Sequence, residues 1–189
     1  MRNGKTKLKV STQIELRLPD LLFADELFKI VDQYRIHLRQ WLSWVDQTQS
    51  KQQIDEFLKM SRIYNIGGQR LTTFIFKKEK LLGSIALVKI NPEHKYAEIG
   101  YWIREDFQGQ GIVTQSCQAL INYAFRHLDL NRIEIKTASK NFKSLAIPLK
   151  LGFTHEATLR EALFLYDTFH DLELFSLLKK DWEKLLTGK

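Results

Sequence analysis

The chain has few of the features that cross-link a protein covalently or hold it in a membrane. It has one cysteine in 189 residues, Cys117, so no disulfide can form within it. No apolar run reaches the roughly 18 residues that a membrane-spanning helix needs. The basic residues at its start lead into no apolar segment of the kind that signal peptides carry. These absences argue against a disulfide-stapled or membrane-spanning protein, and we expect a cytoplasmic protein without a membrane partner.

Metal ligands and domain linkers are equally scarce. The 5 histidines show no metal-ligand spacing with one another or with the cysteine. No internal repeat, low-complexity segment or linker rich in proline, glycine or serine divides the chain. We therefore expect no metal site and a single domain over residues 1–189, with its core at about residues 10–180 and a basic N-terminal tail at residues 1–9.

What the chain has in excess is positive charge. Lysine and arginine number 29 against 22 aspartates and glutamates, which gives a formal net charge of +7. Such a balance favours work near polyanions, whether RNA, the ribosome or a phosphorylated cofactor. The basic residues are scattered and form no RNA-binding motif, so a basic surface without a nucleic-acid partner is an equally good interpretation. Direct DNA binding is not expected.

Apolar periodicity predicts an α+β fold. Alternation over residues 13–18 predicts a half-buried strand, and helical spacing predicts one helix after Pro19 and another from Ser50, its N-cap, to Ile63. Two tryptophans, Trp41 and Trp44, lie between these helices: they either pack in the core or in a lid, or their segment forms one wall of an acceptor groove. Three β-branched and aromatic runs, at residues 71–76, 81–90 and 96–103, then predict an antiparallel meander.

The second half of the chain alternates helices and strands. A helix from Ile112 precedes a strand at residues 132–136, and two strands joined through a helix imply a parallel pair. A further helix runs from Asn141 to residue 151 and contains Pro148, which should bend or shorten it. Residues 153–159 and 172–178 predict the last two strands. The first of these helices has one apolar stripe, which assigns Cys117 to core packing: Val113, Cys117, Leu120, Ile121, Ala124 and Leu128.

The most informative stretch joins the third meander strand to the next helix through Gly109 and Gly111. Glycines between a strand and a helix let backbone N–H groups approach an anion at the positive end of the helix dipole. The bare pattern fits neither a dinucleotide fingerprint, whose third glycine is replaced by Thr114, nor a P-loop, which ends in Gly-Lys-Ser/Thr. Glycines that only make a tight turn are the structural alternative.

In context, the stretch Gln108-Gly-Gln-Gly-Ile-Val-Thr114, preceded by Ile99-Gly-Tyr-Trp-Ile103, resembles the acetyl-CoA pyrophosphate loop of the GNAT N-acetyltransferases. It is most similar to the RimJ/RimL branch, which modifies the amino termini of ribosomal proteins. One departure is Asp106, which stands where the general GNAT pattern has glutamine or arginine and so removes a polar contact on the phosphate side. The resemblance spans about residues 14–182 and continues in order through Leu130-Asn-Arg-Ile-Glu-Ile135, Asn141-Phe-Lys-Ser144, Lys150-Leu-Gly-Phe153, Glu156-Ala-Thr-Leu-Arg160 and His170-Asp171.

The resemblance implies a GNAT acyl-CoA N-acyltransferase fold with acetyl-CoA as co-substrate and no metal. Its mixed, mostly antiparallel sheet is flanked by helices and has a splayed parallel strand pair in the middle. The pantetheine arm would enter between the splayed strands, and the pyrophosphate would lie on the N–H groups of the glycine loop. The residues that the resemblance assigns to the coenzyme are Trp102, Ile103, Arg104, Gln108, Gly109, Gln110, Gly111, Ile112, Val113, Thr114, Asn141 and Ser144.

Acetyl transfer to an amine requires a neutral amine, a stabilised oxyanion and a proton for the leaving sulfur. A backbone N–H near Ile103 can stabilise the oxyanion. The resemblance places Ser144 opposite the coenzyme sulfur as the acid, with Tyr166 as a further proton donor; a serine that only bonds its own helix backbone is the structural alternative. Glu161 and Glu98 are alternative candidates for the general base.

These features predict an acetyl-CoA-dependent N-acetyltransferase that acts on the α-amino group of a protein or peptide. The predicted acceptor is a ribosomal protein, modified by direct amine attack in a ternary complex. The first alternative is a small amine such as a polyamine or an aminoglycoside, although a positive surface repels polycations. The second is a non-catalytic acyl-CoA-binding protein associated with the ribosome or RNA. An exposed C-terminal strand and helices are compatible with a homodimer.

Overall fold

The computed structural model describes residues 6–187, which build one 8-stranded sheet with helices on both faces. The strand order is β1-β2-β3-β4-β5-β6-β8-β7. The strands are β1 (Lys7–Lys9), β2 (Ile14–Arg17), β3 (Leu71–Lys77), β4 (Lys80–Asn91), β5 (Tyr96–Ile103), β6 (Arg132–Ala138), β7 (Thr154–Leu165) and β8 (Thr168–Leu178). The α-helices are α1 (Ala24–Gln33), α2 (Arg35–Arg39), α3 (Lys51–Ile66), α4 (Ile112–His127), α5 (Phe142–Lys150) and α6 (Lys179–Thr187), and short 3-10 turns lie at Leu21–Phe23, Ser43–Val45 and Glu105–Phe107.

The centre of the sheet holds its one parallel pair among the described strands. β5 and β6 pair from Tyr96 with Arg132 to Ile99 with Ile135, while the other neighbouring strands pair antiparallel. Both strands continue beyond the last pair, β5 to Ile103 and β6 to Ala138, without pairing to each other. The two strands therefore separate at one end and leave a cleft, which confirms the predicted mixed sheet and its parallel pair.

Alternating side chains of the strands build a core on each face. Ile75 of β3 joins the buried cluster under α4, where Cys117 is fully buried. Phe74, its neighbour, belongs to the other cluster, which is formed with α1 and α3. Successive strand residues point to opposite faces, so one strand supplies both cores. The prediction that Cys117 packs in the core is confirmed.

Local signals placed several helix ends correctly. Ser50 caps α3 in a capping box, in which its side chain accepts the Gln53 N–H and the Gln53 side chain accepts the Ser50 N–H. Asn141 caps α5, and Gly152 follows that helix with a φ of 77°. Pro148 lies inside α5, and its consequence is described below.

The predicted ends of the core need correction. Residues 7–9, which we assigned to a basic tail, form the edge strand β1 against β2, while residues 1–5 of that tail lie outside the described part of the chain. The chain also continues past residue 180 in α6, where Trp182 is buried. Three-residue strands and short terminal helices form because they pack on an existing sheet, so their own sequence predicts them poorly.

Candidate active site

The cleft between β5 and β6 presents a free strand edge. The Arg104 N–H donates to the Leu82 carbonyl on β4 at 2.8 Å. Because successive amides of a strand alternate between its two sides, the Ile103 N–H faces the cleft. Gly83 lets β4 approach this segment, since a Cβ there would lie 2.2 Å from the Trp102 carbonyl oxygen. The edge can pair with an extended, amide-rich ligand as a further strand would.

The glycine loop at the mouth of the cleft offers backbone donors. Gly109 and Gly111 have φ angles of 72° and 71°, a region that side chains disfavour. A Cβ on Gly109 would meet nothing within 4 Å, so the loop surface is open there. Gly111 is the N-cap of α4, and the Gln115 N–H makes a hydrogen bond of 3.0 Å back to its carbonyl. The amides of residues 112–114 precede that bond and point outward at the positive end of the helix.

The backbone N–H of Gln108 makes a hydrogen bond within the protein, and its side-chain amide links two helices. Its N–H donates to the Glu105 carbonyl at 3.1 Å, so we revise the prediction that this amide binds phosphate. The side-chain amide lies between two helices, with Nε2 2.7 Å from His37 Nε2 on α2 and Oε1 accepting from Lys143 Nζ on α5 at 2.8 Å. Apart from this hydrogen bond, Lys143 makes no ion pair within residues 6–187, so no carboxylate neutralises its charge beside the loop.

Arg104 was predicted to contact the coenzyme, but its hydrogen bonds hold the glycine loop in place. It is 9% exposed, and its guanidinium donates to both carboxylate oxygens of Asp106 at 2.7 and 2.9 Å and to the Tyr34 hydroxyl at 2.9 Å. Its N–H is used by β4, and its carbonyl accepts the Phe107 N–H at 3.2 Å. Burial disfavours the Asp106 charge, but the hydrogen bonds from Arg104 outweigh it and lower the pKa of Asp106. We therefore revise Arg104 from a coenzyme contact to an anchor of the loop.

The opposite wall of the cleft comes from the first turn of α5. The Asn141 carboxamide oxygen accepts the Ser144 N–H at 3.2 Å, which leaves its NH2 group for other acceptors. The Ser144 hydroxyl donates to the Tyr101 hydroxyl at 3.0 Å, and Tyr101 donates to the Ser144 carbonyl at 3.2 Å. Ser144 thus faces β5 beyond the point where the strands separate, and its side chain bonds Tyr101 rather than its own helix. Sequence reasoning missed Tyr101, although it lies in the Ile99–Ile103 motif and alternates with Ile103.

The two candidate bases lie apart from Ser144. Glu98 belongs to the paired part of β5, where its carboxylate accepts from Lys136 at 3.0 Å and Lys89 at 3.4 Å. Glu161 lies in an irregular part of β7 with a φ of 52°, exposed, and its N–H donates to Asp171 at 2.8 Å. No hydrogen bond among the described residues joins either carboxylate to Ser144 or to the glycine loop.

Tyr166 makes a contact between distant parts of the chain. It sits in the turn between β7 and β8, with its hydroxyl 3.5 Å from the Leu42 carbonyl. The Arg39 guanidinium lies over its ring at 4.3 Å and also binds the Asp46 carboxylate. Tyr166 is therefore held by the end of α2 and the segment after it, and no hydrogen bond within the described residues joins it to Ser144.

The tryptophan of that same segment reaches the strand that lines the cleft. The rings of Trp44 and Trp102 pack with centroids 5.9 Å apart, and both side chains join the cluster formed with α1 and α3. This position confirms that Trp44 packs against the core, and a role for its segment as a wall of the acceptor groove stays a prediction.

The family comparison agrees with this geometry. Residues 13–154 match the family model described as an acetyltransferase (GNAT) domain. The chain is 35% identical over 178 residues to the putative ribosomal N-acetyltransferase YdaF of Bacillus subtilis, covering 93% of this chain and 96% of that protein. It is 33% identical over 169 residues to the ribosomal-protein-serine acetyltransferase of Escherichia coli, covering 89% and 94%.

Solved structures show the same likeness. RimL, the ribosomal L7/L12 α-N-protein acetyltransferase, in complex with coenzyme A has a TM-score of 0.89 and 30% identity, covering 93% of this chain and 99% of that chain. The microcin C7 self-immunity acetyltransferase MccE in complex with acetyl-CoA and AMP has a TM-score of 0.89 and 32% identity, covering 93% and 97%.

Proposed function

The chain belongs to the GNAT acetyltransferase family, and on that premise we propose that it transfers the acetyl group of acetyl-CoA to the α-amino group of a ribosomal protein. Acetyl-CoA is the co-substrate, and structural neighbours have been crystallised with it or with coenzyme A. The names of two curated relatives support a ribosomal-protein acceptor. The observation that carries the proposal is the cleft between β5 and β6, which opens beside the glycine loop and has Ser144 on its wall.

The proposed coenzyme contacts follow the shape of this cleft. The pyrophosphate lies on the amides of residues 109–114, because the loop is open at Gly109 and the α4 dipole favours an anion there. The pantetheine arm pairs with the β5 edge near Trp102 and Ile103, and the free NH2 group of Asn141 holds it from the other wall. We assign no direct coenzyme contact to Arg104, whose polar groups bond other parts of the protein.

The proposed reaction is direct attack in a ternary complex. The amine nitrogen bonds to the acetyl carbon, the bond from that carbon to sulfur breaks, and the Ile103 N–H stabilises the negative charge on the carbonyl oxygen. Ser144 Oγ donates a proton to the departing sulfur and regains one from water, while the nitrogen loses its extra proton to water. An α-amine has a pKa of about 7.7–8, so a useful fraction is neutral near pH 7 and a weak base suffices. Glu161 and Glu98 are candidates for that base, each acting through water.

An acceptor panel tests the function. We expect the purified protein to release coenzyme A from acetyl-CoA in the presence of peptides that carry ribosomal-protein amino termini. Mass spectrometry should find the added acetyl group on the α-amine and not on lysine. Turnover with none of these acceptors by a folded protein that binds acetyl-CoA would contradict the proposal and favour a non-catalytic acyl-CoA-binding role. A ribosomal acceptor also implies work in the cytoplasm.

A small amine is the second candidate acceptor, and a specific likeness favours it. The chain is 29% identical over 114 residues to the spermidine N(1)-acetyltransferase of Escherichia coli, covering 59% of this chain and 61% of that protein. The net charge of +7 opposes a polycation, since the whole surface repels it. Competition between spermidine and an α-amine peptide for one pool of acetyl-CoA decides which acceptor has the higher kcat/KM.

A further inference from the structure

A proline in α5 leaves one carbonyl without its helical donor. Pro148 has no N–H, so the carbonyl four residues earlier receives no hydrogen bond from it. That carbonyl belongs to Ser144, and the hydroxyl of Tyr101 on β5 donates to it at 3.2 Å. The strand therefore supplies the hydrogen bond that the helix lacks, at the residue proposed as the acid.

The oxygen of the same phenol also accepts a hydrogen bond from the Ser144 hydroxyl. A tyrosine hydroxyl has one proton to give, and because that proton points at the Ser144 carbonyl, its oxygen is free to accept. Ser144 Oγ donates to it at 3.0 Å. Burial raises the pKa of the Tyr101 phenol, so its proton is present throughout the working pH range. Two hydrogen bonds between one pair of residues fix both the backbone and the side chain of Ser144.

We propose that Tyr101 is the positioning residue of Ser144 and controls where the Ser144 proton points. This inference rests on the proposed function. With the cleft empty, the Ser144 hydroxyl points its proton at the Tyr101 oxygen. With a sulfur in the cleft, the Ser144 proton turns to the sulfur, and the Tyr101 O–H turns from the Ser144 carbonyl to Ser144 Oγ. Ser144 then gives up its proton to the sulfur while Tyr101 keeps its own and stabilises the serine oxygen until water reprotonates it.

The first test is Tyr101→Phe, which keeps the ring and removes the hydroxyl. We expect kcat to fall about tenfold, as for partial loss of a general acid, while the Kd for acetyl-CoA measured by calorimetry stays unchanged. In a Ser144→Ala background the same substitution should have no further effect, because it acts only through the serine. Tyr96→Phe, at the start of the same strand, is the matched control and should leave kcat unchanged.

Pro148→Ala separates positioning from simple stabilisation. In Tyr101→Phe/Pro148→Ala, the backbone N–H that the second substitution introduces can donate to the Ser144 carbonyl and repair that lost bond, but nothing restores the partner of the Ser144 hydroxyl. We expect the double variant to regain stability against urea while kcat stays low. Recovery of kcat would mean that Tyr101 only satisfies a carbonyl, and it would overturn the inference.

A change of leaving group gives a readout that a structural role would not move. An acetyl thioester of an aromatic thiol needs less protonation as it leaves, so the wild-type and Tyr101→Phe proteins should differ far less with it than with acetyl-CoA. Equal ratios with both donors, or an effect that multiplies with Ser144→Ala, would contradict the role of Tyr101. An inactive wild-type protein would instead contradict the proposed function itself.

Discussion

At the scale of single residues, the glycine loop depends on a backbone conformation that ordinary side chains disfavour. Gly109 has a φ of 72° and faces open space, so a substituent would meet no protein atom but would stand where a phosphate is proposed. The chain contains a second glycine with the same two properties away from the loop, Gly68, with a φ of 71° and nothing within 4 Å. The pair allows backbone strain to be separated from ligand access.

We predict that Gly109→Val raises the Kd for acetyl-CoA at least about a hundredfold, whereas Gly68→Val leaves it near the wild-type value. Both variants should lose a similar stability, of about 1–3 kcal/mol, because each forces a β-branched residue into the left-handed region. Calorimetric titration and urea unfolding measure the two effects. Equal Kd values for the two variants would mean that the loop is only a tight turn.

At the scale of whole elements, α5 approaches the glycine loop through one side chain. Lys143 Nζ lies 2.8 Å from the Gln108 carboxamide oxygen, next to Gly109, and has no carboxylate partner within residues 6–187. Asp106, where the family pattern has glutamine or arginine, is neutralised by Arg104 and offers nothing to an anion. A cation from the opposite wall can supply the attraction that the loop itself lacks.

We predict that Lys143→Met weakens acetyl-CoA binding about three- to tenfold, with a smaller salt dependence than the wild type. Lys140→Met is the matched control, an exposed lysine in the connection between β6 and α5, three residues before Lys143, that makes no side-chain hydrogen bond or ion pair within residues 6–187. The KM for a truncated acetyl thioester that lacks the phosphates should be the same in all three proteins. A loss of affinity for that short donor would contradict a phosphate role for Lys143.

Elements with strong local signals could be predicted from the sequence, and contacts between distant elements could not. The capping residue Ser50 and the aromatic run of β5 could be predicted, since a helix cap and a strand alternation depend only on neighbouring residues. Pro148 predicted a disturbed helix but not the use of the freed carbonyl. Its donor Tyr101 lies 43 residues before Ser144, and they meet only because β5 and β6 separate. The identity of a serine, a tyrosine or a lysine does not indicate which distant residue its side chain contacts in the fold.

At the scale of the whole molecule, a charged group ties the last three strands of the sheet together. Arg132 on β6 donates to Glu156 on β7 at 2.8 Å, across the intervening strand β8, whose Ser176 also donates to that carboxylate. These hydrogen bonds, from Arg132 first and Ser176 second, lower the pKa of Glu156 from 4.5 to about 2. A lowered carboxylate pKa means that the folded state holds the charged form more strongly than the unfolded chain does.

We predict that the contribution of Glu156 is present above about pH 4.5 and is lost as the pH falls toward 2. Glu156→Gln should therefore be less stable than the wild type at pH 7, and the two should converge in acid. Urea unfolding at a series of pH values measures the difference, which stays modest because both side chains of the pair are partly exposed to solvent. Lys95→Gln, which breaks an exposed ion pair with Asp129, is the control for a general charge effect.

The hairpin of β7 and β8 contacts the end of α2 and the segment that follows it, and Tyr166 is the point of contact. Its ring lies under Arg39, which is held by Asp46, and its hydroxyl makes a long hydrogen bond of 3.5 Å to the Leu42 carbonyl, so removal of the hydroxyl leaves the ring packing in place. We therefore predict that Tyr166→Phe keeps wild-type kcat, while Tyr166→Ala raises the KM for the protein acceptor several-fold and leaves the Kd for acetyl-CoA unchanged. Steady-state kinetics with the acceptor varied, and calorimetry for the coenzyme, separate the two constants. A large fall in kcat for Tyr166→Phe, with the KM for the acceptor and the Kd for acetyl-CoA unchanged, would instead identify Tyr166 as the proton donor and remove that role from Ser144. Loss of the hydrogen bond to Leu42 alone changes the placement of the hairpin and not the transfer of a proton.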